Sequence, residues 1–197
     1  MDPHASQETR DPNPVAQARP RPWATRLLLC LLGSWIVLTI TMGFLASGNF
    51  RVLDPARLRN ADEVFREIPA GQERRQDLRY AASELNRYYF RIYSAVHLVI
   101  AAAALALHGW SRQRSRWITL GLAACTVTAV LYLVWLTPAL VDLGRAIDFM
   151  PRDPEPPQVV GFYRLHRLDV ALELTKLVVL ASITVGLIRQ RTDNDSR

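Results

Sequence analysis

The sequence predicts an all-α fold, a four-helix transmembrane bundle that makes the chain an integral membrane protein. Its apolar residues, half of the 197, are gathered into four blocks. Each block is about twenty residues long, enough to cross the ~30 Å hydrocarbon core as a helix and more than a helix in a soluble core needs. No segment shows the alternation from which a spanning barrel closes, so helices are the one form left that satisfies every backbone group in lipid.

The elements follow in chain order. Residues 1–25 hold five prolines (Pro3, Pro12, Pro14, Pro20, Pro22) among polar residues and read as a disordered N-terminal tail with nothing to bury. The first span, about 27–46 (LLLCLLGSWIVLTITMGFLA), is uncharged and longer than the core of a signal peptide, so it is expected to stay uncleaved. Asp54-Pro55 signals a helix start, Asp as cap and Pro at the first helical position. A short amphipathic helix to about Glu67 is expected there, with Leu58, Ala61 and Phe65 on one side and Pro69-Ala70-Gly71 breaking it. From Gln72 to His108 no breaker intervenes, which predicts one long helix whose C-terminal part is the second span, about 92–108. Tyr88, Tyr89, Phe90 and Tyr93 would stand at the headgroups as an aromatic belt.

Gly109–Arg116 (GWSRQRSR) is a tight basic turn. The third span, about 117–137, runs into Pro138, where a kink is expected, with helix continuing to about Phe149. Pro151, Pro154, Pro156 and Pro157 forbid helix. The last helix restarts near Gln158 and becomes the fourth span, about 168–188. The chain thus divides into the tail 1–25, a four-span membrane domain 26–191 and a C-terminal tail 192–197.

An even number of spans puts both termini on one side. The termini and the turn 109–116 carry ten arginines; the connections on the other side carry more, balanced by nearly as many acids. Short loops weigh most in the positive-inside rule, and the turn packs three arginines without an acid, so the termini are expected in the cytoplasm. All basic residues except Lys176 are arginine, a usage typical of GC-rich bacterial genomes, which points to a bacterial inner (cell) membrane. The net charge of +6 belongs to membrane-flanking arginines and is no sign of a nucleic-acid partner. Cys30 and Cys125 both fall inside spans and read as small apolar fillers; no cofactor or metal centre is expected.

Ionisable side chains inside a membrane cost roughly 2.5–3.5 kcal/mol each and are functional candidates by default. The fourth span carries Asp169, Glu173 and Lys176, with His166 just before it. At 100° per residue all four fall within an arc of about 80°, and Thr184 joins them further along. Such a stripe has to face the bundle interior or an aqueous vestibule. It can bind a cation or relay protons, and His166, Asp169 and Glu173 are possible hard or borderline metal ligands. Equally, Glu173 and Lys176 can neutralise each other within one turn as structural glue, leaving Asp169 and His166 at the wet interface. His97 shares a face of the second span with Asn86, Phe90 and Tyr93, where a histidine more often bonds a neighbouring helix than a ligand. Gly121, Cys125, Thr128 and Tyr132 in the third span, and Ser34, Thr41 and Gly48 in the first, read as small or polar packing stripes.

Several short motifs resemble a family, the bacterial domain of unknown function numbered 4149, similar to eukaryotic transmembrane protein 205. They are Phe50-Arg51-Val52-Leu53 after the first span, Leu85-Asn86-Arg87-Tyr88-Tyr89-Phe90 entering the second, Thr137-Pro138 after the third and Leu165-His166 opening the fourth. The family's Leu-Phe-Pro-x-Tyr-Phe lacks its proline here, and two neutral polar positions of its fourth-span motif are the acids Asp169 and Glu173. The likeness covers about 27–189 and implies a four-span layout. The family's chemistry is unassigned, with links to drug or metal tolerance in its eukaryotic branch.

Phosphate loops, His-Glu-x-x-His, Gly-x-Ser-x-Gly and Cys-x-x-Cys are all missing from the sequence, so no enzyme is expected. Two functions remain: handling of a cation, proton or small solute through the polar stripe, or a non-catalytic structural or partner-binding membrane protein. Four spans without an internal repeat make a poor stand-alone transporter, so the first implies a homo-oligomer or a membrane partner, with the lipid bilayer as the common environment.

Overall fold

A computed structural model describes residues 22–54, 56–58, 63, 71–111, 115–150 and 154–195. Among them the helices are α1 (Pro22–Val52), α2 (Gln72–Ser111), α3 (Arg116–Leu131), a π-helical segment (Tyr132–Leu136), α4 (Thr137–Ala146) and α5 (Pro157–Asp195). α3, the π segment and α4 form one continuous rod, so four helices are long and apolar enough to cross a bilayer. α2 has 40 residues and α5 has 39. At 1.5 Å per residue each is roughly 60 Å long, about twice the hydrocarbon core, so both project well beyond it.

The four rods pack in a ring: α1 on α2, α2 on α3, α3 and α4 on α5, and α5 back on α1. That is an up-down-up-down bundle, the arrangement short connections favour. Val37, Phe44, Val99, Leu120, Val127, Val134, Val178 and Val185 point outward and are exposed, as lipid-facing residues of spans are. Trp23 at the start of α1 and Trp110 at the end of α2 meet edge-to-face at 5.6 Å.

α2 begins where the sequence predicts, at Gln72. Gly71 has φ +132°, a conformation that L side chains rarely adopt, and this lets the chain turn into the helix. The Asp54 cap forms too: its Oδ1 accepts from the Ala56 N–H at 3.1 Å. Arg57 and Leu58 follow in a turn on the Asp54 carbonyl; apart from Glu63, the rest of the expected short helix, including Ala61 and Phe65, lies outside the described residues, as do residues 1–21 of the N-terminal tail. Residues 22–25 belong to α1, and α5 runs on to Asp195, through most of the stretch read as the C-terminal tail.

The half of the bundle near the chain termini is dry. Leu28, Leu32 and Trp35 of α1 pack against Ala101 and Ala104 of α2, Ile118, Leu122, Cys125 and Ala129 of α3, and Leu180, Ile183 and Leu187 of α5. Lipid is as apolar as leucine, so shape-matched packing holds such helices together, and small residues admit large ones. Gly186 leaves room for the Trp117 ring, and a Cβ on Gly121 would lie 2.8 Å from Ile183. α1 corrects an expectation here. Ser34 and Thr41 face outward, while the packing face is Ala24, Leu28, Leu32, Trp35, Thr39 and Met42. Bulky apolar knobs make more dispersion contacts than a serine or threonine stripe, so they win the interior.

Pro138 produces a π turn in place of a simple kink. Proline has no N–H for the carbonyl four residues back, and its ring clashes with that carbonyl. The rod widens just before it, and the Thr137 N–H bonds the Tyr132 carbonyl five residues back. Tyr132, Leu136 and Thr137 are thereby turned into the bundle, all three buried.

Candidate functional site

Beyond the dry half the four spans enclose a cavity of about 640 Å³ on the side away from the termini. Most of its wall is apolar, from residues such as Ile40, Met42, Phe90, Leu140, Val170 and Leu174, and its polar groups come from the predicted stripe and from residues facing it.

At the floor α5 presents Glu173 and Lys176 one turn apart. Lys176 Nζ donates to Glu173 Oε2 at 2.6 Å and to the Tyr93 hydroxyl at 2.9 Å. The Tyr93 hydroxyl donates its single proton to Glu173 Oε2 at 3.0 Å. It therefore accepts from Thr39 Oγ1, also 3.0 Å away, and one phenol links α1, α2 and α5. The ammonium also lies 5.3 Å from the Tyr93 ring centroid and 5.9 Å from that of Tyr132, where the ring faces attract a cation. A nearly fully buried lysine is tolerable under these conditions, with a carboxylate, a phenol oxygen and two aromatic faces around it. Tyr132 in turn donates to the Asp169 carbonyl at 2.8 Å, so the π turn is stitched to α5 beside the acids.

Glu173 spends only one of its oxygens on this network. Among the described residues its Oε1 has no hydrogen-bond partner although it is buried. Asp169, one turn outward, is buried and lines the cavity. Its Oδ2 lies 3.6 Å from His166 Nδ1, too far for a hydrogen bond. His166 itself is half exposed at the rim, its ring stacked on Phe162 at 6.0 Å. The stripe thus runs from a buried Lys176 past a part-buried Glu173 and a buried Asp169 to a half-exposed His166. Thr184 stays outside it, bonding the Leu180 carbonyl of its own helix. Among the described residues no group of three His, Cys, Asp or Glu side chains is placed to hold a metal ion.

His97 departs from expectation. It is fully buried behind Tyr93 and Tyr132, packed among the rings of Trp35, Tyr93 and Tyr132 at 5.0, 5.2 and 5.9 Å, and neither nitrogen has a hydrogen-bond partner among the described residues. The side chains α1, α2 and the π segment bring against it are aromatic rings, so among the described residues it packs as a ring and does not bond a neighbouring helix. It is not part of the cavity wall.

Further out the wall is closed by a second ionic set. Arg87 bonds Asp148 and Glu84 at 2.6 Å each, and Arg145 stands 3.5 Å from Glu84. Gly144 leaves the space the guanidinium occupies. Asn86 donates to the Ala46 carbonyl at 3.1 Å and accepts from Asn49 at 2.6 Å, tying α1 to α2. Ser94 and Thr137 bond at 2.7 Å, tying α2 to α4.

Reading the sequence brought out the α5 stripe but not its partners. The sequence places Tyr93 in the headgroup belt, whereas it is 4% exposed and sits at the centre of the network; Tyr88, expected in the same belt, is exposed. The signal lay in the helical register: Asn86, Tyr93 and His97 share one face, and two of the three are polar in a way lipid does not tolerate. Thr39 and the Arg87–Asp148 pair carried no comparable mark. Compared with protein-family models, curated proteins and solved structures, the chain matches none.

Proposed function

We propose that this membrane protein binds a small cationic solute in the cavity between its spans, with the carboxylates of Asp169 and Glu173 as the charged contact. The single observation that carries this is Glu173, a cavity-lining carboxylate whose buried Oε1 has no partner of its own among the described residues. A buried acceptor left unsatisfied costs about 1–3 kcal/mol, more when charged, and a donor or cation entering the cavity removes that cost. Asp169 and Glu173 are the carboxylates of the α5 side of the wall, which also carries Arg79 and the Arg87–Asp148 pair. Aromatic wall residues (Phe90, Tyr93, Tyr132, Phe162) offer faces that suit an organic cation.

The dry half closes the cavity toward the termini, so the geometry favours binding from one side over open passage. With the termini assigned to the cytoplasm, that side is the outer one. The reading is non-catalytic.

A structural reading is favoured by one specific observation, the Thr39–Tyr93–Glu173–Lys176 network, which ties three helices whatever enters the cavity. Calorimetric titration of the purified protein in nanodiscs with tetramethylammonium separates the two. Saturable binding that is lost in Asp169→Asn/Glu173→Gln, with the fold intact by circular dichroism, supports a cation site. Absence of binding to the wild type leaves the structural reading.

A further inference from the structure

We infer that the ligand is a single-chain cationic amphiphile that reaches the carboxylates sideways from the bilayer, through a gap between α1 and α5. This names the substrate class of the site above and rests on that reading.

The hydrogen-bonded chain Thr39–Tyr93–Glu173 sets the depth of α1 against α5: Thr39 is level with Glu173. The helices are antiparallel, so Gly43, one turn further along α1, is level with Asp169 and Val170, one turn back along α5. Gly43 and Ile40 lie inside the first apolar block and Val170 and Leu174 inside the fourth, so this level is flanked by hydrocarbon and lies below the headgroups.

At that level the wall between α1 and α5 is open. A Cβ added to Gly43 would meet nothing within 4 Å. Ile40, Val170 and Leu174 line the cavity, yet they are 46%, 43% and 59% exposed. Exposure of this size on both helices at one level marks an open side of the cavity. The cross-links of this half leave it unlaced. Among the described residues α1 is bonded to α2 through Thr39–Tyr93, Asn49–Asn86 and Asn86–Ala46, and α5 to α2 and to the π segment through Glu173 and Asp169, while α1 and α5 share no hydrogen bond here.

The composition of the space selects the occupant. An inorganic ion needs several oxygen ligands in place of its water, whereas this wall is mostly aliphatic and aromatic and its volume is that of a drug-sized molecule. A cationic head sits against the carboxyls of Asp169 and Glu173, and an alkyl tail fills the apolar mouth between α1 and α5. A fully polar cation would leave that mouth unfilled.

The test uses the full chain in nanodiscs of zwitterionic lipid. Equilibrium binding is measured for tetramethylammonium and for decyltrimethylammonium below its micelle concentration, each corrected for uptake by empty nanodiscs. The expected result is decyltrimethylammonium binding about tenfold or more tighter than tetramethylammonium. Gly43→Phe should erase that advantage, bringing the two affinities together, and Asp169→Asn/Glu173→Gln should weaken both. Should Gly43→Phe fail to fold, Leu174→Trp obstructs the same mouth from the other edge at an exposed position. Equal affinities for the two cations, or a tail advantage untouched by either obstruction, overturns the lateral amphiphile while leaving a cation site in place. No binding of either cation to the wild type sinks the cation site and this inference together.

Discussion

The same four helices behave as two materials along their length. Toward the termini they close on Leu28, Leu32, Trp35, Leu122, Leu180 and Ile183, with glycines admitting large side chains. Beyond Thr39, Tyr93, Tyr132 and Glu173 they surround about 640 Å³ of space and hold together by hydrogen bonds and ion pairs. The contrast separates two ways of stabilising a bundle in lipid. Close packing needs no polar group but leaves no room. Polar cross-links cost desolvation, yet they can hold helices apart around a site.

Lys176 sits at the boundary, and removing its charge alone tests the contrast hardest. Lys176→Met strands Glu173 in an apolar setting and is expected to destabilise by about 3–5 kcal/mol unless the carboxyl takes up a proton. Glu173→Gln/Lys176→Met together should recover most of that loss, read as thermal unfolding in detergent; a double variant as unstable as the single one would mean that the pair is not the boundary's main cost. In the dry half, Trp35→Ala opens a void where nothing can collapse, and about 3–5 kcal/mol is expected from the same measurement.

Ala82→Pro probes the part of α2 that rises past the cavity toward Gln72. Ala82 is fully buried and mid-helix, so the lost hydrogen bond and the clash should cost about 3 kcal/mol, with a drop in helical circular dichroism. Tyr93→Phe removes the shared hydroxyl and leaves Thr39 and Lys176 short of an acceptor, for about 1–3 kcal/mol. The smallest effect is expected at Leu140→Ala. That side chain borders the existing cavity, so truncation enlarges a space instead of creating one, and a loss near 1 kcal/mol or below is anticipated. A large loss at Leu140 would show that the polar half is packed like the dry one.

How far the molecule could be read in advance differs between the two regions for the same reason. The dry half follows from runs of apolar residues, a local property. The α5 stripe was also legible, because charges at spacings of three and four on an apolar helix have one face to share. Tyr93 was misread because a tyrosine near the end of a span has two equally good environments, the headgroups and a buried partner. The wider turn at Tyr132–Leu136 was visible only as a kink at Pro138, since proline disrupts a helix in more than one way.

The sequence by itself determined that there are four spans, where they lie and which face of the last one is polar. Each of these depends on residues close together along one helix and on the fixed thickness of the hydrocarbon. Only the tertiary structure decided what the polar face meets. The lateral order of the helices and the rotation introduced by the π turn bring Thr39, Tyr93 and Tyr132 to Asp169 and Glu173 across distances in the chain that no local pattern encodes. The same arrangement leaves the space beside Gly43 open, where an added Cβ would meet nothing within 4 Å.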